Sequence, residues 1–383
     1  MFKSKLDILI NALHTVFFAN YKISTCITPL GAASNCVSLY DCPQLLNAFE
    51  QRPLPSNVVS YLRQSQCGFE GDVPRVCCGP LPAEQQPSIR PTVRTRFMPH
   101  RGGEDFSSDD SLPAPANQCG IDTNGDRIFG GQATELDEFP WMTLMGYRIR
   151  NGSISYQCGG VLINQRYVLT AAHCITGAIQ REVGNLVTVR LGEYDIQSEV
   201  DCLNGVCADR PQEIPVQGAY AHPGYNDRNK NRKDDIGIAR LARRATYTYY
   251  VKPICLVNAR ERLSSGYDVF VAGWGKTELG KKSPIKLKLG LPIFDSEQCV
   301  DKYKPLGAVL ADTQICAGGA RDEDACRGDS GGPLMKKRPD GVWEAVGVVS
   351  FGYGCGKAGW PGVYTNVASY IDWIKSTLQS TNV

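Results

Sequence analysis

The chain has 383 residues, 41 basic and 39 acidic side chains, and a formal net charge of +2. It is long enough for more than one domain, and nothing in its charge points to nucleic acid or an anionic membrane as a partner. Sixteen cysteines, an even number, indicate disulfides formed in an oxidising compartment; with only four histidines and no Cys-x-x-Cys pair, metal binding carries little weight as their use.

Residues 1–25 open with Lys3 and Lys5 before the apolar Ile8-Leu9-Ile10 and Val16-Phe17-Phe18-Ala19, roughly the layout of a signal peptide. Asp7, Asn11 and His14 interrupt it, and it is too short and too polar for a membrane span. Six cysteines follow in residues 26–78: Cys26, Cys36, Cys42, Cys67, Cys77 and Cys78. A module so small buries a modest core and needs staples, although spacing alone does not fix which cysteine pairs with which. Between them, Pro43 to Ala48 starts a short helix and Val58-Val59-Ser60-Tyr61-Leu62 forms another. Pro80, Pro82, Pro87, Pro91, Pro99, Pro113 and Pro115, with Arg94, Arg96 and Arg101 among them, mark residues 79–118 as an extended, largely disordered and solvated spacer.

From residue 128 onward, short β-branched and aromatic runs alternate with Gly and Pro turns. Tyr167-Val168-Leu169-Thr170, Leu186 to Leu191 and Trp343 to Val349 are examples, and they predict an all-β domain. The one clear helix is the terminal one, Val367 to Leu378, with Tyr370, Ile371, Trp373 and Ile374 on its apolar side. Asn151-Gly152-Ser153 is an N-glycosylation sequon on a loop. Near the C-terminus, Gly328-Asp329-Ser330-Gly331-Gly332-Pro333 sets one serine among glycines. Such a turn lets the backbone approach a carbonyl closely, and the amides of Gly328 and Ser330 then point together as an oxyanion hole. A serine hydroxyl is a poor nucleophile without a base.

Two upstream segments supply the partners: Leu169-Thr170-Ala171-Ala172-His173-Cys174 and Asp234-Asp235-Ile236-Gly237-Ile238-Ala239-Arg240-Leu241. The order His, Asp, Ser, with Ala272-Gly273-Trp274-Gly275 and Pro361-Gly362-Val363-Tyr364-Thr365, resembles the trypsin/chymotrypsin family from Ile128 to about the C-terminus. The resemblance implies two six-stranded antiparallel barrels with the site in the cleft between them. It assigns His173 as general base, Asp235 as its orienting carboxylate and Ser330 as nucleophile. Asp234 reads as a solvated loop charge and His222 as structural. Gly237 departs from the usual Ala and should leave Asp235 in place. Asp324, six residues before the serine, falls at the base of the pocket for the cleaved residue, implying Arg or Lys there. Gly352 and Gly362 leave its walls open, and Ser350-Phe351-Gly352 offers a strand edge to the substrate. Arg127-Ile128-Phe129-Gly130-Gly131 resembles the activation site: cleavage after Arg127 by another trypsin-like protease frees the Ile128 amine to pair with Asp329. The loop holding Glu193, Asp195, Ser198 and Asp201 resembles the family's calcium loop, with Glu193 and Asp201 binding through carboxylates and the other two through carbonyls.

The same likeness implies Cys158–Cys174, Cys299–Cys316 and Cys326–Cys355, a small Cys202–Cys207 loop, and a Cys119–Cys255 bridge that retains the N-terminal part after cleavage. The six N-terminal cysteines, ending in adjacent Cys77-Cys78, resemble the clip domain of arthropod serine proteases. That family's pattern implies Cys26–Cys77, Cys36–Cys67 and Cys42–Cys78. The domains expected are therefore an N-terminal segment to residue 25, a clip domain over 26–78, a linker with the activation site over 79–127, and a peptidase domain over 128–383. The function implied is a secreted serine endopeptidase zymogen of a haemolymph immune cascade, activating prophenoloxidase or processing a Toll ligand. Its partners would be protein substrates, an activating protease and serpin inhibitors, with no cofactor for catalysis. A silent clip-domain adaptor and a digestive trypsin are the alternatives. The intact triad argues against the first, and the clip module and linker against the second.

Overall fold

The computed structural model describes residues 25–46, 61, 65–70, 73–80, 110–115, 117–122, 132–203, 206–276, 282–319, 329–354 and 357–381. Its contacts divide the chain into two units, Met1–Arg94 and Thr95–Val383.

In the first unit, β1 (Thr25–Ile27), β2 (Ala33–Ser38), β3 (Gln66–Glu70) and β4 (Val73–Cys77) form a sheet in the order β1-β2-β4-β3. One helical turn, α1 (Pro43–Leu46), falls where the first helix was expected; of the second, only Tyr61 is described. The buried cluster is small, centred on Cys42, Leu45, Tyr61 and Val76. Disulfides Cys26–Cys77, Cys36–Cys67 and Cys42–Cys78 supply the constraint that so small a core lacks.

The second unit is built on strands β5 (Gln132–Ala133), β6 (Met142–Arg148), β7 (Ile154–Leu162), β8 (Tyr167–Thr170), β9 (Asn185–Leu191), β10 (Cys202–Leu203), β11 (Val206–Cys207), β12 (Gln212–Ala221) and β13 (Gly237–Leu241). It continues with β14 (Cys255–Leu256), β15 (Asp268–Gly273), β16 (Leu287–Pro292), β17 (Gln314–Ala317), β18 (Pro333–Lys337), β19 (Trp343–Phe351) and β20 (Gly362–Asn366). Strands β12-β13-β8-β7-β6-β9 close into a barrel. Every residue of β8 and β13 is buried, Arg240 included, so neither strand shows the alternation of a sheet with one solvated face.

The second sheet follows the order β17-β20-β19-β18-β15-β16-β5, with β14 beside β19. It curls round as the second half of the expected trypsin-like fold, meeting at its seam without a continuous ladder. Its ends meet through one bridge, Ile293 to Ala317, and through Phe294 N–H to Cys316 O and Gly318 N–H to Pro292 O, each 2.8 Å. Pro292 ends β16 at this seam and has no N–H to extend a ladder. The two halves pack through aromatic rings: Trp343 meets Phe139 edge-on at 5.1 Å, and Trp141 donates its indole N–H to Met335 Sδ at 3.0 Å.

The terminal helix starts as a 3-10 turn, Val367–Tyr370, capped by Asn366, and continues as an α-helix, Ile371–Thr381, burying Ile371, Ile374 and Leu378. Two further helices, Ala178–Glu182 and Ser296–Tyr303, were not expected. The second had a legible signal, since the Asp295 side chain caps it by accepting from Gln298 N–H.

Among the described residues from 110 to 122 the spacer is docked at particular points, although Leu112, Pro115, Asn117, Gln118 and Ile121 stay exposed as a solvated spacer would. Asp110 is buried and ion-paired to Arg244 at 2.8 Å, and Ala114 N–H donates to Ile163 O. Asn164 Nδ2 donates to the carbonyls of Asp110 and Leu112 at 3.0 and 2.7 Å. Gly120 donates to Pro253 O and accepts from Trp343 N–H, and Cys119 bridges to Cys255. Proline spacing signals extended chain but says nothing of a docking surface supplied by a distant strand.

Candidate active site

The register of two buried strands assembles the core of the site. Gly237 of β13 pairs with Thr170 of β8, so the residues just beyond Thr170 and just before Gly237 meet at one barrel end. A 3-10 turn, Ala172–Cys174, presents His173 there. Cys174 holds the turn through its disulfide to Cys158, and its carbonyl accepts from Tyr147 OH at 2.6 Å.

His173 N–H donates to Asp235 Oδ1 at 2.9 Å, and its Nδ1 lies 2.7 Å from Asp235 Oδ2. Asp235 is fully buried; Ser350 Oγ donates to the same Oδ2 at 2.5 Å, and Thr365 Oγ1 donates to the Asp235 carbonyl at 2.7 Å. Burial alone would push this carboxyl up, but His173 and the hydrogen bonds from His173 and Ser350 bring it below the ordinary carboxylate value. A charged Asp235 on Nδ1 holds the proton there and leaves Nε2 as the basic nitrogen.

Ser330 joins this pair through its backbone. Its carbonyl accepts from Gly159 N–H at 2.8 Å and lies 3.5 Å from Cys174 Sγ. The following Gly331 has φ +80°, and a Cβ there would stand 2.3 Å from Thr170 Oγ1 and 2.6 Å from Gly159 O. The Asp329 carboxylate lies against Gly273 and Gly275 and accepts from Gly275 N–H at 2.9 Å. A Cβ on either glycine would come within 2.2 Å of it, which explains the Gly-Trp-Gly run. Ser350 lies on β19, Gly352 just past its end, and Gly362 opens β20. Arg127, Ile128, Asp324, Gly328, Cys326 and Cys355 lie outside the described residues.

Three placements go beyond the sequence reading. The Ser350 hydroxyl, read only as backbone edge, holds the buried carboxylate. Asp234, read as solvated, has φ 59° and accepts from Tyr370 OH at 2.7 Å. Gly237 has a packing reason, since a Cβ there would meet Ile175 Cδ1 at 2.5 Å. His222 is structural: its Nδ1 accepts from Gly224 N–H, and its ring packs edge-on to Tyr370 and Trp373. Burial lowers its pKa.

In the acidic loop, Glu193 and Asp201 are buried and both accept from Tyr194 N–H, at 3.0 and 2.9 Å. Glu193 also pairs with Arg190 at 2.9 Å, yet burial, with Asp201 close by, still raises its pKa. Ser198 Oγ donates to Asp201 Oδ1 at 2.5 Å, whereas the Asp195 carboxylate accepts from Gln197 N–H. Glu193 and Asp201 are neighbouring buried carboxylates, offset by Arg190, which Glu213 shares, and by the charge of buried Lys286; oxygen donors of this kind suit a hard divalent cation. Cys202–Cys207 closes the loop's far side. Cys299–Cys316 pins the Ser296–Tyr303 helix, and Asn151 is exposed on the β6–β7 turn.

Among the described residues no helix is long and apolar enough to cross a membrane. A family model described as Trypsin matches residues 128–374, and one described as Regulatory CLIP domain of proteinases matches residues 26–78. The chain is 68% identical over 359 residues to Phenoloxidase-activating enzyme 1 of Spodoptera litura, covering 94% of each chain. It is 41% identical to Serine protease 7 of Drosophila melanogaster over 93% of this chain and 92% of that one. Its structure resembles the crystal structure of the Drosophila Grass clip serine protease of the Toll pathway, with TM-score 0.60, 29% identity, and coverage of 94% of this chain and 98% of that chain.

Proposed function

Since the chain belongs to the trypsin family and carries a regulatory CLIP domain, we propose that it is a secreted zymogen that, once cut after Arg127, hydrolyses proteins after Arg or Lys. The observation that carries this reading is the run Ser350–Asp235–His173 beside the Ser330 turn. His173 Nε2 takes the Ser330 hydroxyl proton as Oγ attacks the scissile carbonyl, and returns it to the leaving amine; water then repeats the sequence to release the acyl group. Asp235 stabilises the imidazolium while it exists. The amides of Gly328 and Ser330 receive the oxyanion, and Asp324 pairs with the substrate's basic side chain.

The relative named for phenoloxidase activation and the structural neighbour named for the Toll pathway support a place in one of those two cascades. Calcium bound by Glu193 and Asp201 carboxylates, with Asp195 and Ser198 carbonyls, would neutralise the buried pair and stiffen its loop. The deciding experiment incubates the Arg127-cleaved chain with prophenoloxidase and with the Toll ligand precursor, using Ser330→Ala as control. Cleavage of neither, or cleavage by the Ser330→Ala form, refutes the reading. Asp324→Ser should sharply reduce cutting after Arg and Lys in peptide substrates.

A further inference from the structure

Between β12 and β13, the loop leading to Asp235 holds two non-glycine residues in the left-handed region, Arg232 at φ 44° and Asp234 at φ 59°. Such conformations cost on the order of 1 kcal/mol each and persist where the surroundings over-determine them, often at functional sites. Asp234 is explained by its bond to Tyr370. The backbone of Arg232 is held by a turn, its N–H donating to Asn229 O at 3.1 Å, while its side chain reaches out of the loop. Its Nη1 donates to the Ser350 carbonyl at 3.1 Å, and its guanidinium carbon stands 5.9 Å from the Phe351 ring centroid. It is half-buried, and among the described residues no carboxylate pairs with it. The acids of its own loop are engaged elsewhere, Asp234 with Tyr370 and Asp227 with Arg181.

A half-buried guanidinium normally finds a carboxylate, because its five donors match that geometry. This one rests on a backbone oxygen of the residue whose hydroxyl holds Asp235, and on the next side chain of the same strand. In the peptidase reading above, on which this inference rests, that strand edge receives the substrate's main chain. An incoming chain therefore competes for the Ser350 oxygen and frees the arginine beside the residue that precedes the cut. We propose that Arg232 is a specificity residue that pairs with an Asp or Glu side chain of the substrate, immediately N-terminal to the cleaved Arg or Lys. The exchange is one arginine hydrogen bond to a neutral carbonyl for a charge-assisted pair.

The test uses two chromogenic peptides that end in Arg and differ only in an isosteric Asp or Asn before it, cut by the Arg127-cleaved full chain. Wild type should prefer Asp about fivefold in kcat/KM, the size expected of a partly exposed ion pair. Arg232→Gln should bring the ratio to about one, and Arg232→Glu should invert it, by the same pairing logic. A ratio of one in wild type overturns the proposal. An unchanged ratio in Arg232→Gln also does so, as does a loss falling equally on both peptides, the mark of a mere loop strut. If no form cuts either peptide, the hydrolase reading fails instead. Arg232 is then judged by the affinities of the same two peptides for Ser330→Ala, with the same ratios expected.

Discussion

Replacing Gly331 by alanine tests how the serine turn is built, with Gly341→Ala as an internal standard. Both glycines have positive φ, +80° and +85°, so both alanines incur the left-handed penalty of about 1 kcal/mol. At Gly341 nothing lies within 4 Å of an added Cβ. At Gly331 the Cβ meets Thr170 Oγ1 at 2.3 Å, Gly159 O at 2.6 Å and Cys174 Sγ at 3.0 Å. None yields easily: Thr170 Oγ1 is itself bonded to Gly159 O at 2.8 Å, and Cys174 is disulfide-bonded. Overpacking of this kind costs about 1–3 kcal/mol, giving roughly 2–4 kcal/mol in total. In a domain of this size that corresponds to roughly 5–15 °C in Tm, against about 2–4 °C for Gly341→Ala. Since Ser330 precedes the clash, its displacement should lower kcat/KM about 100-fold even at temperatures where the variant is folded. Thermal unfolding followed in parallel with peptide hydrolysis measures both. Equal Tm losses in the two variants, or full activity in Gly331→Ala, would refute the packing argument.

Three other perturbations have clear signs. Burial depresses the pKa of Lys286 to about 8, although Glu138 and Asp137 oppose the shift. Below that pH the buried charge is a penalty, which is relieved as pH rises toward the ordinary lysine value. The stability advantage of Lys286→Met over wild type should therefore shrink by about 2 kcal/mol between pH 8 and about pH 9.5. A constant difference in urea titrations across that window would contradict the assignment. Asn164→Ala leaves the carbonyls of Asp110 and Leu112 and the amides of Arg166 and Tyr167 without their side-chain partner, so it should cost about 2–4 kcal/mol and open residues 110–122 to proteolysis. Wild-type resistance there would count against the docked segment. Calcium should raise Tm with increasing concentration, and Glu193→Gln should weaken the effect; no change between chelator and millimolar calcium would leave the loop without a metal.

What could be read in the chain depended on how local the cause was. His173, Asp235 and Ser330 sit in short runs whose chemistry and order carry their meaning, and β8 and β19 announce themselves as β-branched runs. The Ser350 hydroxyl could not be singled out, because its partner is 115 residues away and nothing in Ser-Phe-Gly distinguishes a backbone edge from a side-chain donor. Asp234 and Arg232 were hidden for the same reason, since their partners Tyr370 and Ser350 come from elements far along the chain. The docking of residues 110–122 likewise depends on Asn164 and Trp343. The Ser296–Tyr303 helix was a different kind of miss, for its Asp cap stood in plain sight in a region dominated by strand signals.

The seam of the second sheet bears on how such a protease can be switched. Where Ile293 meets Ala317, a single bridge and two flanking hydrogen bonds do the work of a ladder, and the chain then passes through Gly318 and Gly319, at φ 82° and 98°, toward the segment carrying Asp324. Opening free energies follow the density of buried contacts and bonded amides, so amide hydrogens at this seam should exchange with solvent sooner than those in the β6–β7 or β15–β16 ladders. In the peptidase reading proposed above, the chain reaches Asp324 from this seam and not from a continuous ladder. The closed first barrel, which carries His173 and Asp235, need not move at all.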